Sequence, residues 1–227
     1  MLKSPELAIF LTNKATDKKM TDFYPPRPPR AFAVQRIMAI NIFIFILWSI
    51  PNEKIFLFMA ENFLVSWGSI TSGKVWTLLT SAFSHNMFFH LLVNMLVLKS
   101  FGRVMEMAMG SWRLIKFYLM AAVFSSLAHA LVSYFILHQA DLPALGASGP
   151  IAGLVLLFSL LFPKQKIYLL GFIPLPALWG AFVFMGLDIW GVISQAKGHG
   201  LPIGHGAHLG GALFGVITYF KNFRKKQ

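Results

Sequence analysis

Polar side chains with chemical potential gather in three short clusters of an otherwise strongly apolar chain. His85, His90 and Asn94 form the first cluster and Gly146-Ala147-Ser148-Gly149 the second. His205-Gly206-Ala207-His208 forms the third, with Gly210 and Gly211 directly behind it. Polar and ionisable groups inside apolar segments are costly, so each is a functional candidate by default. Ser148 lies among small residues where a helix is expected to start. The free N–H groups and positive dipole end of a helix N-terminus suit an oxyanion beside a nucleophile. Pro150 fits there, because first-turn N–H groups have no helical partner. Taken alone, Ser148 reads as a helix cap.

His90 and Asn94 are four residues apart and share one helix face, from which both can donate to a developing negative charge. Taken alone, they read as hydrogen bonds between packed helices. His208 precedes Gly211 and Gly215, and Ser148 precedes Gly149 and Gly153, so two small-xxx-small faces are available for close backbone approach. If those faces pack together, Ser148 and His208 meet, as a serine with a histidine general base requires. His205 is a rival base, without an aligned small face. Zinc bound by His85, His90, His205 and His208 is the other use of several histidines, but no His-Glu-x-x-His is present. Asp188 is the one carboxylate well inside an apolar segment. It reads better as a local hydrogen-bond acceptor than as the third member of a triad.

The elements that must position these groups are membrane helices. Of the 227 residues, 56% are hydrophobic and 12% charged, including 23 Phe, against about 25% charged in soluble domains. There is no cysteine, which excludes disulfides and thiolate chemistry. Six apolar segments are expected near 34–50, 86–105, 112–137, 148–162, 175–193 and 207–220, each close to the ~20 residues of a crossing. The fourth and sixth are short, which is tolerated where protein surrounds them and water reaches their ends. Residues 51–85 read as an interfacial connection with short amphipathic helices. The net charge of +12 raises nucleic acid as a partner. With six crossings and a cytoplasmic N-terminus, however, all Lys and Arg except Lys54, Lys74 and Lys197 fall on one side. That is a positive-inside membrane protein and no nucleic-acid binder. All three clusters then sit at the outer ends of their helices.

On these residues the chain resembles the rhomboid intramembrane serine proteases. The motifs are His90-x-x-x-Asn94, Gly146-x-Ser148-Gly149, Ala207-His208-x-x-Gly211-x-x-x-Gly215, Glu106-x-x-x-Gly110-Ser111-x-Arg113, and the approach from Trp76 to His85. They span roughly 60–220. The resemblance implies an all-α, six-transmembrane-helix bundle with an interfacial loop between helices 1 and 2 and a cavity opening outward. It implies Ser148 as nucleophile and His208 as general base in a Ser-His dyad. The oxyanion hole would comprise the Ser148 backbone N–H, His90 and Asn94. Gly149, Gly153, Gly211 and Gly215 would pack the helices. It implies no cofactor and no metal. Ala152 stands where family members often carry an aromatic ring against the histidine, and Pro150 is also a departure.

The expected organisation is a basic cytoplasmic tail (1–30), a six-helix protease domain (31–221) and a basic cytoplasmic C-terminus (222–227). The expected function is an intramembrane serine endopeptidase acting on single-span transmembrane proteins in the lipid bilayer. The alternative is a catalytically weak or silent relative that binds membrane-protein clients. A transporter is disfavoured, because few ionisable groups lie deeper than the outer half. The expected location is multi-pass, in a bacterial inner membrane with both termini cytoplasmic.

Overall fold

The computed structural model describes residues 31–169 and 173–224. The basic tail expected over 1–30 and the last residues of the C-terminus lie outside the described residues. Six longer helices follow the apolar segments of the sequence: α1 (Ala33–Trp48), α5 (Phe88–Met109), α6 (Ser111–Phe135), α7 (Ser148–Leu161), α8 (Ala177–Ala196) and α9 (His205–Asn222). Three of them, α5, α6 and α8, are both long and apolar enough to cross a membrane, while α1 and α7 are shorter apolar helices. The connection from α1 to α5 contains α2 (Glu53–Phe63), α3 (Trp67–Thr71), α4 (Thr77–Thr80) and a 3-10 turn at Ser81–Phe83.

The all-α expectation is amended at one place. Lys166–Leu169 (β1) and Ile173–Pro176 (β2) pair antiparallel, Ile167 with Leu175 and Tyr168 with Pro174. Pro163 stops the chain from continuing α7. Pro174 and Pro176 cannot enter a helix interior, so this stretch pairs as an edge hairpin until α8 begins at Ala177.

Helix α7 is the centre of the bundle. It buries Ile151, Leu154, Leu157 and Phe158 together with Gly149, Gly153 and Ser159, and none of its residues is fully exposed. Its 14 residues span about 21 Å at 1.5 Å per residue, less than the ~30 Å of a hydrocarbon core. It packs against α5, α6, α8 and α9, and a short helix of this kind is tolerated in a bilayer where protein surrounds it.

Two corners fix the frame. Glu106, 1% exposed near the end of α5, caps α1 from far along the chain. Its Oε1 accepts from the backbone N–H of Phe32 (2.7 Å) and Ala33 (2.6 Å), and its Oε2 from Val34 (3.2 Å). Those are unpartnered first-turn N–H groups at the positive dipole end, where a carboxylate is favoured. The Ser111 hydroxyl donates to the same carboxylate. Gly110, at φ 86, turns α5 into α6 within one residue. The Glu-x-x-x-Gly-Ser motif is therefore a corner that closes α1. The second corner is the α1–α5 connection. Asn52 caps α2 through Lys54 and Ile55 N–H, and Ser66 and Ser69 form a capping box on α3. Trp67 stacks on Tyr134 of α6 at 4.7 Å. Val65 and Ala144 exchange backbone hydrogen bonds of 2.9 and 2.8 Å. The connection is thereby tied to the loop that leads into α7.

Candidate active site

The loop before Ser148 is held from three sides. Besides the Val65–Ala144 bridge, Gly146 N–H donates to Ser81 O (2.8 Å), and Ala147 N–H donates to His85 Nε2 (3.4 Å). Gly146 has φ 122, and a Cβ there would lie 2.7 Å from Cε1 and 3.0 Å from Nε2 of His90. Only glycine meets both demands. The loop therefore delivers Ser148 as the first residue of α7, with its N–H among the orphan donors of the first turn.

Helix α9 reaches Ser148 because glycines line both sides of its contact with α7. A Cβ on Gly211 would run into the carbonyl of Gly149, with the carbonyl carbon at 2.7 Å. A Cβ on Gly215 would lie 3.2 Å from the carbonyl carbon of Gly153. The backbones are thus in direct contact, and His208, one turn before Gly211, is carried against the start of α7. His208 Nε2 lies 2.9 Å from Ser148 Oγ.

Asp188 of α8 stands behind the histidine. Its Oδ1 lies 2.9 Å from His208 Nδ1 and 2.7 Å from His205 Nδ1. A carboxylate only accepts, so both Nδ1 atoms carry the hydrogen. His208 Nε2 is then left as a lone pair facing the serine hydroxyl, the tautomer a general base needs. Gly191, three residues after Asp188, makes room for this arrangement. A side chain there would overlap the His205 ring, whose Cδ2 is 2.5 Å from the Cβ position. The three side chains are 11% (His205), 21% (His208) and 13% (Asp188) exposed, at the mouth of the bundle rather than in its core.

His85, His90 and Asn94 form the opposite wall. His85 is fully buried, and its Nε2 receives both Ala147 N–H and Asn94 Nδ2 (3.2 Å). Its proton therefore sits on Nδ1, which is buried without a hydrogen-bond partner among the described residues. Burial, reinforced by His90, lowers its pKa to about 3, so it stays neutral. Asn94 Nδ2 also donates to His90 O (2.9 Å), which engages both of its amide hydrogens. The His90 ring lies edge-to-face with His85 at 4.9 Å and over Gly146.

Of the residues singled out from the sequence, Ser148, His208 and the four packing glycines are brought together, with His90 and Asn94 beside them. Asn94 is turned toward His85 and His90 O rather than offering a free donor to Ser148. His205 touches Asp188 and not the serine. Ala152, partly buried one turn after Ser148, puts no ring against His208. The histidine is held through Nδ1 by Asp188, a contact the sequence reading set aside. The available signal was Asp188 itself, a lone carboxylate in an apolar segment. His85 was read as a possible zinc ligand, and its place as an acceptor behind Asn94 and Ala147 was not foreseen.

A family model described as the Rhomboid domain matches residues 72–225. The chain is similar to the mitochondrial RHOMBOID-like protein 12 of Arabidopsis thaliana, with 34% identity over 191 residues, 79% of this chain and 55% of that protein. It is similar to the mitochondrial Rhomboid protein 1 of Saccharomyces cerevisiae, with 36% identity over 189 residues, 81% of this chain and 51% of that protein. A third relative, the chloroplastic Rhomboid-like protein 16 of Arabidopsis thaliana, is 30% identical over 192 residues, 79% of this chain and 58% of that protein. The chain spans about half the length of the curated relatives it matches.

Proposed function

This chain belongs to the rhomboid family, and from that premise we propose that it is an intramembrane serine endopeptidase, hydrolysing peptide bonds in or near transmembrane segments of other membrane proteins. The observation that carries the proposal is the 2.9 Å contact between Ser148 Oγ and His208 Nε2, with Asp188 holding the Nδ1 hydrogen. His208 Nε2 takes the serine proton as Oγ bonds to the substrate carbonyl carbon. The carbonyl oxygen becomes an oxyanion facing the Ser148 backbone N–H, His90 and Asn94. Asn94 joins by releasing one present acceptor, and its 3.2 Å contact with His85 is the longer of the two. Collapse expels the amine, which takes the proton from His208 and leaves an acyl ester on Ser148. A water deprotonated by His208 then hydrolyses the ester and returns the proton to Ser148.

The six longer helices are read as crossings, with both termini on the basic, cytoplasmic side. Single-span proteins are the proposed substrates, entering where α8 is least covered; it is the least buried of the three long apolar helices. The relatives named above are mitochondrial or chloroplastic, and none points to the bacterial inner membrane expected from the sequence. The proposal for location is accordingly an integral, multi-pass membrane protein.

A catalytically silent client-binding role is the second reading, and the engaged amide of Asn94 is the observation in its favour. A fluorophosphonate probe in detergent separates the two. Wild type is expected to label, and Ser148→Ala and His208→Ala are not. Labelling that persists in Ser148→Ala would overturn the nucleophile, and a wild type that neither labels nor cleaves a single-span substrate would favour the silent reading.

A further inference from the structure

We propose that Asp188, His205 and His208 form a binding site for a divalent transition-metal ion of the Zn2+ type, and that occupation of this site switches Ser148 off. The second half rests on the catalytic reading above; the first does not. The ligating atoms are the two Nδ1 atoms and a carboxylate oxygen of Asp188. All three lie within 4.8 Å of one another, and both nitrogens already converge on the same oxygen. Two imidazoles and one carboxylate suit Zn2+, whereas Mg2+ and Ca2+ favour all-oxygen shells. Three protein ligands leave the fourth tetrahedral position for water, which the partial exposure of the three side chains supplies. The site is also built rather than incidental. Gly191 clears the space in which the His205 ring lies against α8, and His205 makes no contact with Ser148 that would explain its placement.

The chemistry of the switch follows from which nitrogen is ligated. A metal-bound nitrogen presents a lone pair, so ligation at Nδ1 displaces the hydrogen that Asp188 now accepts. A neutral His208 ligated through Nδ1 carries its hydrogen on Nε2. That places a donor against Ser148 Oγ where the reaction needs an acceptor. The serine keeps its proton; in each ring the metal–nitrogen bond replaces an Nδ1–H bond, and a proton exchanged through water forms the Nε2–H bond.

The test uses the full chain in detergent with Zn2+ alone as the probe. Binding is read on Ser148→Ala by competition with a chromophoric chelator, so no activity is needed. One equivalent is expected, with a loss of at least about 10–100-fold in affinity when His205→Ala or Asp188→Asn is added, and no change on adding His199→Ala, whose side chain lies in the exposed turn after α8. Absence of stoichiometric binding, or binding indifferent to His205→Ala, overturns the site. Fluorophosphonate labelling of the wild type is then followed with and without Zn2+. Labelling is expected to fall with Zn2+ and recover with chelator, and in His205→Ala to change little relative to its own zinc-free rate. Undiminished labelling under saturating Zn2+ overturns the switch. A wild type that never labels refutes the catalytic reading and the switch together, leaving the binding titration to decide the site alone.

Discussion

Substituting Gly211 by alanine places one methyl group where α9 and α7 touch. The new carbon would lie 2.7 Å from the carbonyl carbon of Gly149 and nearer still to its oxygen, where ordinary carbon contacts need about 3.5–4.0 Å. Backbone cannot swing aside as a side chain can, so the helices must part by about 1 Å. Overpacking of this kind costs about 1–3 kcal/mol, which leaves the bundle folded and less stable. The larger effect is on the site. His208 is one turn from Gly211 on the same rigid helix. Moving it by about 1 Å takes Nε2 from 2.9 Å to beyond the ~3.2 Å reach of a general base. Misplacement by 1 Å costs on the order of 10²-fold in rate. The expected result for Gly211→Ala is therefore a ~10²-fold slower fluorophosphonate labelling and substrate cleavage, with a lowered melting temperature. Gly186→Ala is the control, because a Cβ there meets nothing within 4 Å. It should label at the wild-type rate. Gly211→Ala protein that labels within about threefold of wild type, at an unchanged melting temperature, refutes the backbone-contact argument.

Three further outcomes are expected. Asp188→Asn replaces an acceptor-only carboxylate by an amide that can also donate, so the hydrogen is no longer held on His208 Nδ1; it should lower kcat by about 10²–10⁴ with KM little changed, read by steady-state cleavage. Glu106→Gln exchanges a charged acceptor for a neutral one beneath the N–H groups of Phe32, Ala33 and Val34. At roughly 1.5–3 kcal/mol for a charge-assisted hydrogen bond, the melting temperature should fall while the labelling rate per folded molecule stays the same. His85→Gln should reduce acid sensitivity. The folded pKa of about 3 lies below the ordinary 6.5, so the unfolded chain binds the extra proton between these values. The stability held by neutral His85 is complete above 6.5 and is lost as the pH falls toward 3. Denaturation curves of wild type and variant should diverge over that window and not above it.

Much of the frame was legible because lipid imposes a simple pattern. The six apolar segments fall within a few residues of α1 and α5 to α9, and Ser148 does open its helix. The spacing of Gly149, Gly153, Gly211 and Gly215 was enough to foresee that α7 and α9 touch, whereas the equally close approach of Gly206 and Gly210 to α6 was not foreseen. What stayed hidden depends on contacts between distant elements. Nothing local to Asp188 says that α8 is rotated to aim it at His208, and Gly191 gains its meaning only from the His205 ring across the interface. The β1–β2 hairpin was missed because Ile167, Tyr168 and Leu175 are too few to show a strand period. The amide orientation of Asn94 is decided by His85, whose buried place depends on the loop before α7.

The Glu106 corner also says something about the order in which the molecule is completed. The chain is made from its N-terminus, so α1 exists well before residue 106 has been added. Until α5 is finished and Gly110 has turned the chain into α6, the N–H groups of Phe32, Ala33 and Val34 have only water or lipid headgroups to bond. The start of α1 is therefore sealed only after α5 is complete. It must wait until α6 begins. A lesion at Glu106 would accordingly present as a failure of α1 to settle, more than 70 residues upstream of the residue that was changed.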